Sequence, residues 1–172
     1  MGAVKTLIFT YGTLKRGFGN HWLVDELTKR GDVEYRGVCQ TAEKYPLVCG
    51  PYNVPFLINE PGHGHRIYGE LYAVSEYGLG RMDELEGTGR GHYVRRPVLL
   101  RSGSEPEVEV RAEAYFADES YGGELWRRWG RVGLPLYSES EAEGYVRRGA
   151  RPQGVTFLEA VHAFIKEEAG VH

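Results

Sequence analysis

Short runs of strand-forming residues, each halted by glycine or proline, restrict this chain more than any other feature. Val4 to Tyr11, Val33 to Thr41, Arg66 to Val74, His92 to Leu100 and Val108 to Ala117 are rich in β-branched and aromatic residues, and such runs between turn formers read as strands. Arg66 to Val74 carries apolar residues on both of its faces, which predicts a strand covered on both sides. Tyr45 to Val48 and Val54 to Ile58 are shorter and each holds a proline, which lacks a ladder donor, so they read as sheet edges or cavity walls. Pro97 moves its own run toward an edge or a bulge. The 24 glycines among 172 residues are about twice the usual share. Without a three-residue period they signal many tight turns instead of a collagen-like repeat.

Helices are predicted between these runs. Asn20 is a candidate cap for His21 to Lys29, with Trp22, Leu23, Glu26 and Leu27 on one partly apolar stripe and Gly31 beyond the end. Ser75 is placed to cap Glu76 to Leu85, in which Leu79, Met82 and Leu85 recur at three-residue spacing. Thr156 and Glu159 form a capping-box pair ahead of Phe157, Leu158, Val161, Phe164 and Ile165, predicting a last helix from about Phe157 to Glu168. From Glu119 to Gly154 the chain is polar and glycine-punctuated, with Trp126 and Trp129 three apart in a short helix. No solenoid-length repeat or linker divides the 172 residues, so a single domain is expected.

Composition removes several classes of function. Lys plus Arg number 21 and Asp plus Glu 24, for a net charge of -3, and the two signs are interspersed, so no nucleic-acid footprint is expected. No apolar run approaches the roughly 18 residues of a membrane span, and the opening MGAVKTLIFTYG enters a turn too early for a signal peptide. A soluble, cytoplasmic protein with no membrane partner is the expectation. Cys39 and Cys49 sit in apolar settings and read as reduced core thiols. Gly12-x-x-x-x-Gly17 starts like a phosphate loop, but Phe18 and Gly19 stand where Lys and Ser/Thr would be needed. Gly87, Gly89 and Gly91 lack the spacing of a dinucleotide fingerprint. His63 and His65 have no ligand cluster beside them, and no nucleophile elbow or cysteine signature is present. No cofactor, metal or covalent nucleophile is therefore expected.

Two places remain open on chemistry alone. Tyr11-Gly12-Thr13-Leu14 is either a strand ending in a turn or a cradle whose amides and Thr13 hydroxyl hold a carboxylate. Glu86, after Leu85 and before Gly87, is either a solvated acid at a helix end or the proton carrier of a cleft.

The ordered set Tyr11 to Gly17, Asn20-His21, Tyr45 to Val48, Asn53 to Leu57, Gly69 to Val74, Asp83 to Glu86 and Tyr93 to Arg96 resembles the gamma-glutamylcyclotransferase-like superfamily. Within it the chain is most similar to the gamma-glutamylamine cyclotransferase branch, also described as plant AIG2-like proteins. The resemblance covers residues 4 to 117, and the part from 119 to 172 matches less well. It implies an α+β fold, a small mixed β-barrel with flanking helices and a cavity at one side. It also implies that Tyr11, Gly12, Thr13 and Leu14 line the pocket for the glutamyl end and that Glu86 is the catalytic acid and base. Asp83 then orients the acidic loop, and Tyr93 is a pocket wall or hydrogen-bond donor. The implied reaction turns a γ-glutamyl amide, γ-glutamyl-ε-lysine or a related γ-glutamylamine foremost, into 5-oxoproline and free amine, without a hydrolytic water. A monomer acting on a small molecule is expected. Two other readings stand beside it: a non-catalytic ligand-binding module that keeps the cavity, and a stress-related interaction protein using surface around Trp126 and Trp129. The stretch from Trp126 to Tyr145 either closes over the leaving group or covers the sheet.

Overall fold

β5 (His65–Val74) is the strand around which the sheet forms. Its backbone pairs antiparallel with β1 (Thr6–Thr10) on one edge and with β2 (Val33–Tyr45) on the other. The computed structural model describes residues 5–102, 107–129 and 131–169. β2 passes to β6 (Tyr93–Arg101) through two residue pairs, Gln40 with Arg101 and Thr41 with Leu100. β6 then pairs along its length with β7 (Glu109–Ala117). β7 returns to β1 in parallel at Ile8 and Glu113, so five strands close into a mixed barrel. β3 (Leu47–Cys49) and β4 (Pro55–Leu57) pair with each other, and β4 attaches in parallel to β7 at Leu57 and Phe116. Closing a small barrel needs strong bending, and β2 supplies it with two register shifts, one at Gly37 with φ 111° and one between Gln40 and Lys44.

The two-residue period of a strand sends alternate side chains to two separate cores. Phe9, Leu71, Ala114 and Phe116 join Ile67, Val98 and Leu100 inside the barrel. Their neighbours Ile8, Tyr72, Tyr115 and Ala117 pack outward under the helices. α1 (His21–Lys29) covers that outer face with Leu23, Val24 and Leu27. α2 (Glu76–Glu86) adds Met82, α3 (Glu119–Arg128) adds Tyr121, Leu125 and Trp126, and, after the single turn of α4 (Glu139–Ala142), α5 (Phe157–Ala169) adds Val161. The capping predictions for α2 and α5 hold: Ser75 Oγ accepts from the Gly78 amide at 3.1 Å, and Thr156 and Glu159 exchange two bonds of 3.1 Å.

Several expectations are corrected. Asn20 does not cap α1 with its side chain, which instead reaches Thr13 and Tyr145. Trp22 leaves the apolar stripe and is 53% exposed, because the buried face falls on Leu23, Val24 and Leu27. Tyr45 ends β2 instead of opening the next short piece, and Tyr68 is exposed together with His65 and Arg66 at the start of β5, which is covered from Gly69 onward. Of the two settings expected for Pro97 the edge is found and the bulge is not: it sits in register opposite Glu113, beyond the point where β2 leaves β6. Trp126 is buried, and the half-buried Trp129 donates its indole N–H to the Cys49 carbonyl at 2.8 Å. Both cysteines are free and buried. Val4 and the turn residues 103–106 lie outside the described residues.

Gly69 marks the tightest strand contact on β5. A Cβ there would stand 2.3 Å from the Thr10 carbonyl oxygen and 2.7 Å from the Phe9 ring, with backbone on one side and core on the other. Gly69→Ala is expected to lower unfolding stability by about 1 to 3 kcal/mol through overpacking, read as a shifted urea midpoint at unchanged slope.

Candidate active site

The cleft begins where the barrel wall divides. β1 and β4 both use the same edge of β7, β1 at Glu113 and β4 at Phe116, and they diverge beyond those points. Tyr11, one residue past β1, stands in the gap. Its hydroxyl donates to the Tyr115 carbonyl of β7 at 2.5 Å and accepts from the Leu57 amide of β4 at 3.4 Å. Tyr93 supports the opposite wall, its hydroxyl donating to the Pro55 carbonyl at 2.9 Å and its ring stacked on Phe56. Burial, and then the Glu86 carboxylate for Tyr11 and neighbouring phenols for Tyr93, push both hydroxyls well above the usual tyrosine range, so both stay neutral.

The loop from Gly12 to Gly19 is tied down from several directions. The Lys15 amide donates to Gly12 O at 3.1 Å and the Asn20 amide to Thr13 O at 2.9 Å. The Asn20 side chain adds a bond of 2.8 Å to the Thr13 hydroxyl. Glu70 on β5 accepts from the Arg16 amide at 2.9 Å and from Arg16 Nε at 3.2 Å, and takes the Tyr72 hydroxyl at 2.8 Å. The buried Lys15 ammonium reaches the Tyr137 carbonyl at 2.6 Å, and burial moves its pKa down. Gly12 is required by close approach, since a Cβ would lie 2.5 Å from Pro55 Cγ. These bonds consume carbonyls and side chains, but the amides of Gly12, Thr13 and Leu14 donate to no acceptor among the described residues. All three residues line the cleft. Successive free amides of this kind form a local anion site.

Glu86 enters the same cleft from the last position of α2. The helix stops because Gly87 adopts the left-handed conformation, φ 63° and ψ 38°, where a Cβ would meet the His92 ring at 2.4 Å. Asp83, one turn earlier, is held by Arg95 at 2.5 Å and by the Tyr115 hydroxyl at 2.7 Å. That clamp fixes the end of α2 against β6 and β7 and uses up the Asp83 carboxylate. Glu86 has no ion pair or hydrogen bond of its own among the described residues. It is half-buried, and burial pushes its carboxyl up to about 7, with Arg148 pulling it down and Asp83 adding to the rise. A carboxyl in that range is half-ionised near neutral pH, the condition under which one group both accepts and returns a proton.

All six predicted site residues, Tyr11, Gly12, Thr13, Leu14, Glu86 and Tyr93, therefore line one narrow cleft with a cavity volume of about 50 Å³. Asn20, His92, Tyr145, Arg148, Arg151 and Phe157 also line it, and the sequence reading named none of them as site residues. Their signal was weak because the last four come from the polar segment after residue 118 and its following helix. His63 and His65 are exposed and remote from the cleft lining. Among the described residues no three His, Cys, Asp or Glu side chains gather as a metal site.

Glu86 also couples this site to stability. Its folded pKa lies above the ordinary carboxyl value, so the folded state binds more protons than the unfolded one between about pH 4.5 and 7. This group's contribution is most favourable below that window and is lost as pH rises through it. Glu86→Gln is therefore expected to raise the thermal midpoint above the parental protein at pH 8, with the gap closing by about pH 5. An equal gap at both pH values would contradict the raised pKa.

Comparisons with known proteins give the family of the chain. A family model described as gamma-glutamyl cyclotransferase, AIG2-like matches residues 8–129. An Arabidopsis thaliana protein named "Putative gamma-glutamylcyclotransferase" is 52% identical over 174 residues, covering 95% of this chain and 93% of its own length. Gamma-glutamylaminecyclotransferase B of Danio rerio is 41% identical over 108 residues, 60% of this chain and 55% of that protein. The crystal structure of an AIG2-like protein from Mus musculus aligns with a TM-score of 0.71 at 29% identity, covering 88% of this chain and 99% of that one. With family model, near full-length relative and solved barrel in agreement, the chain belongs to the gamma-glutamylcyclotransferase, AIG2-like family.

Proposed function

We propose that this protein converts an L-γ-glutamyl amide to 5-oxoproline and a free amine, with Glu86 as the single proton carrier. The family supplies the general cyclotransferase reaction. The observation that carries the residue assignment is a carboxyl titrating near 7, without a partner of its own, in the same cleft as three uncommitted amides.

The substrate α-carboxylate would sit on the amides of Gly12 to Leu14, beside the Thr13 hydroxyl. Glu86 takes a proton from the substrate α-ammonium. The freed amine attacks the γ-carbonyl carbon of the same molecule, closing a five-membered ring through a tetrahedral intermediate. Glu86 then returns its proton to the departing nitrogen and takes the second proton from the ring nitrogen as the C–N bond breaks, so that neutral lactam forms and this last proton leaves with the released amine as its ammonium. Atoms balance without water, because nucleophile and electrophile belong to one substrate. Tethering of this kind reaches effective molarities of roughly 10⁵ to 10⁸ M, so the protein's task is orientation and proton transfer. The neutral Tyr11 and Tyr93 hydroxyls are already engaged with backbone, which makes them walls and not competing acids.

For the leaving group, the relatives named gamma-glutamylaminecyclotransferase, in zebrafish and at 43% identity over 81 residues in Homo sapiens, support a γ-glutamylamine, with γ-glutamyl-ε-lysine the first compound to test. Incubation with that conjugate, several γ-glutamyl dipeptides and glutathione should yield 5-oxoproline and amine in equal amounts by mass spectrometry. Release of glutamate, or no lactam from any compound, would sink the reading. Glu86→Gln keeps shape but removes proton transfer, and kcat should fall by about 10² to 10⁴. In the parental protein kcat/KM should rise with pH through an apparent pKa of about 7, and a flat profile from pH 5.5 to 8 would remove Glu86 from the chemistry.

A further inference from the structure

Beside the cleft lies a second, wider depression that the reaction above does not use. This groove offers about 460 Å³ and adjoins the cleft, with Asn20, Leu85, Tyr145 and Arg148 lining both. Anything attached to a γ-glutamyl group in the cleft can emerge here. Trp22, Leu23 and Leu85 give the groove an apolar side, and Trp22 is the large residue of α1 left 53% exposed. Its other side is cationic. Arg81, Arg90, Arg147 and Arg148 line it against one carboxylate, Glu84.

Arg81 has an ion pair with Glu26 at 3.4 Å. Arg90 instead donates to the Glu84 carbonyl at 3.1 Å, and Arg148 donates to the Leu85 carbonyl. Arg151, next along the mouth, donates to the Val146 carbonyl at 2.8 Å and lies over the Tyr52 and Tyr145 rings. Arg147 has no side-chain bond among the described residues. Backbone carbonyls orient a guanidinium but do not neutralise it, so among the described residues Arg90, Arg147 and Arg148 of the groove and Arg151 of the adjoining cleft stand without a carboxylate ion pair. Arg151 is also half-buried, and burial and the Arg148 charge both act against its charged form. A mobile anion would relieve that cost through the bidentate geometry that arginine favours.

We propose, on the cyclotransferase reading above, that this groove receives the leaving amine and selects γ-glutamylamines with an apolar stem and an anionic group at the far end over those ending in an ammonium. Trp22 and Leu85 flank the stem, and Arg90 and Arg147 meet the terminal charge.

Three conjugates with stems of matched length isolate the charge: γ-glutamyl-6-aminohexanoate, γ-glutamyl-hexylamine and γ-glutamyl-1,5-diaminopentane. At low salt kcat/KM should favour the carboxylate over the ammonium by about tenfold or more, with the neutral compound between. The double substitution Arg90→Ala with Arg147→Ala, both exposed positions, should narrow that ratio to about threefold or less, through a raised KM for the anionic compound. Raised ionic strength should narrow it in the parental protein. Turnover with equal or reversed preference would overturn the groove assignment and leave the cyclotransferase reading intact. Absence of lactam from all three, and from γ-glutamyl-ε-lysine, the dipeptides and glutathione as well, would remove that reading instead. Calorimetric titration of the same compounds into Glu86→Gln then decides the groove by itself: tighter binding of the carboxylate supports it, and equal affinities reject it.

Discussion

One strand edge organises this protein. The edge of β7 is shared between β1 and β4, which pair with it at neighbouring positions and then separate. A sheet that divides this way leaves backbone donors and acceptors without strand partners, and buried groups of that kind must find others. The Tyr11 hydroxyl takes both roles, accepting from β4 and donating to β7. The gap thereby becomes a lined cleft instead of a flaw in the barrel. The amides of Gly12 to Leu14 follow Tyr11 in the chain, so the residue that seals the split also delivers the loop to it.

Glu86 shows the opposite economy. Asp83 is surrounded by Arg95 and Tyr115 and serves as an anchor, whereas Glu86 receives no such partner and its carboxyl rises to about 7. The fold thus holds two acids one helical turn apart in different surroundings, Asp83 clamped by a guanidinium and a phenol and Glu86 left to the effect of burial. Leaving Glu86 unpaired costs stability above neutral pH, which is the expected signature of a group kept for proton transfer.

Local signals in the sequence carried far. Ser75 and the Thr156–Glu159 pair marked the starts of two helices because capping is a contact of three residues, and the strand runs were legible because the alternation that feeds two cores is written every second residue. The less successful readings share a cause. Asn20 carries the right side chain for a cap, yet Thr13 and Tyr145 compete for it from 7 and 125 residues away. Trp22 and Trp126 look alike in composition, but one lines a groove and the other is buried under the helices. That difference depends on which face of each helix meets the barrel.

The amino-acid sequence by itself determined the strand and helix periods, the glycine positions that permit the turns and, by resemblance, the six residues of the cleft. Only the tertiary structure decided what stands around them. The split edge of β7 brings Tyr11 to Tyr115, the Asp83 clamp fixes the helix end that carries Glu86, and the segment after residue 139 folds back to place Tyr145, Arg148 and Arg151 at the mouth. Charge compensation and burial at that mouth are sums over residues more than 50 positions apart in the chain, and no local pattern encodes such a sum.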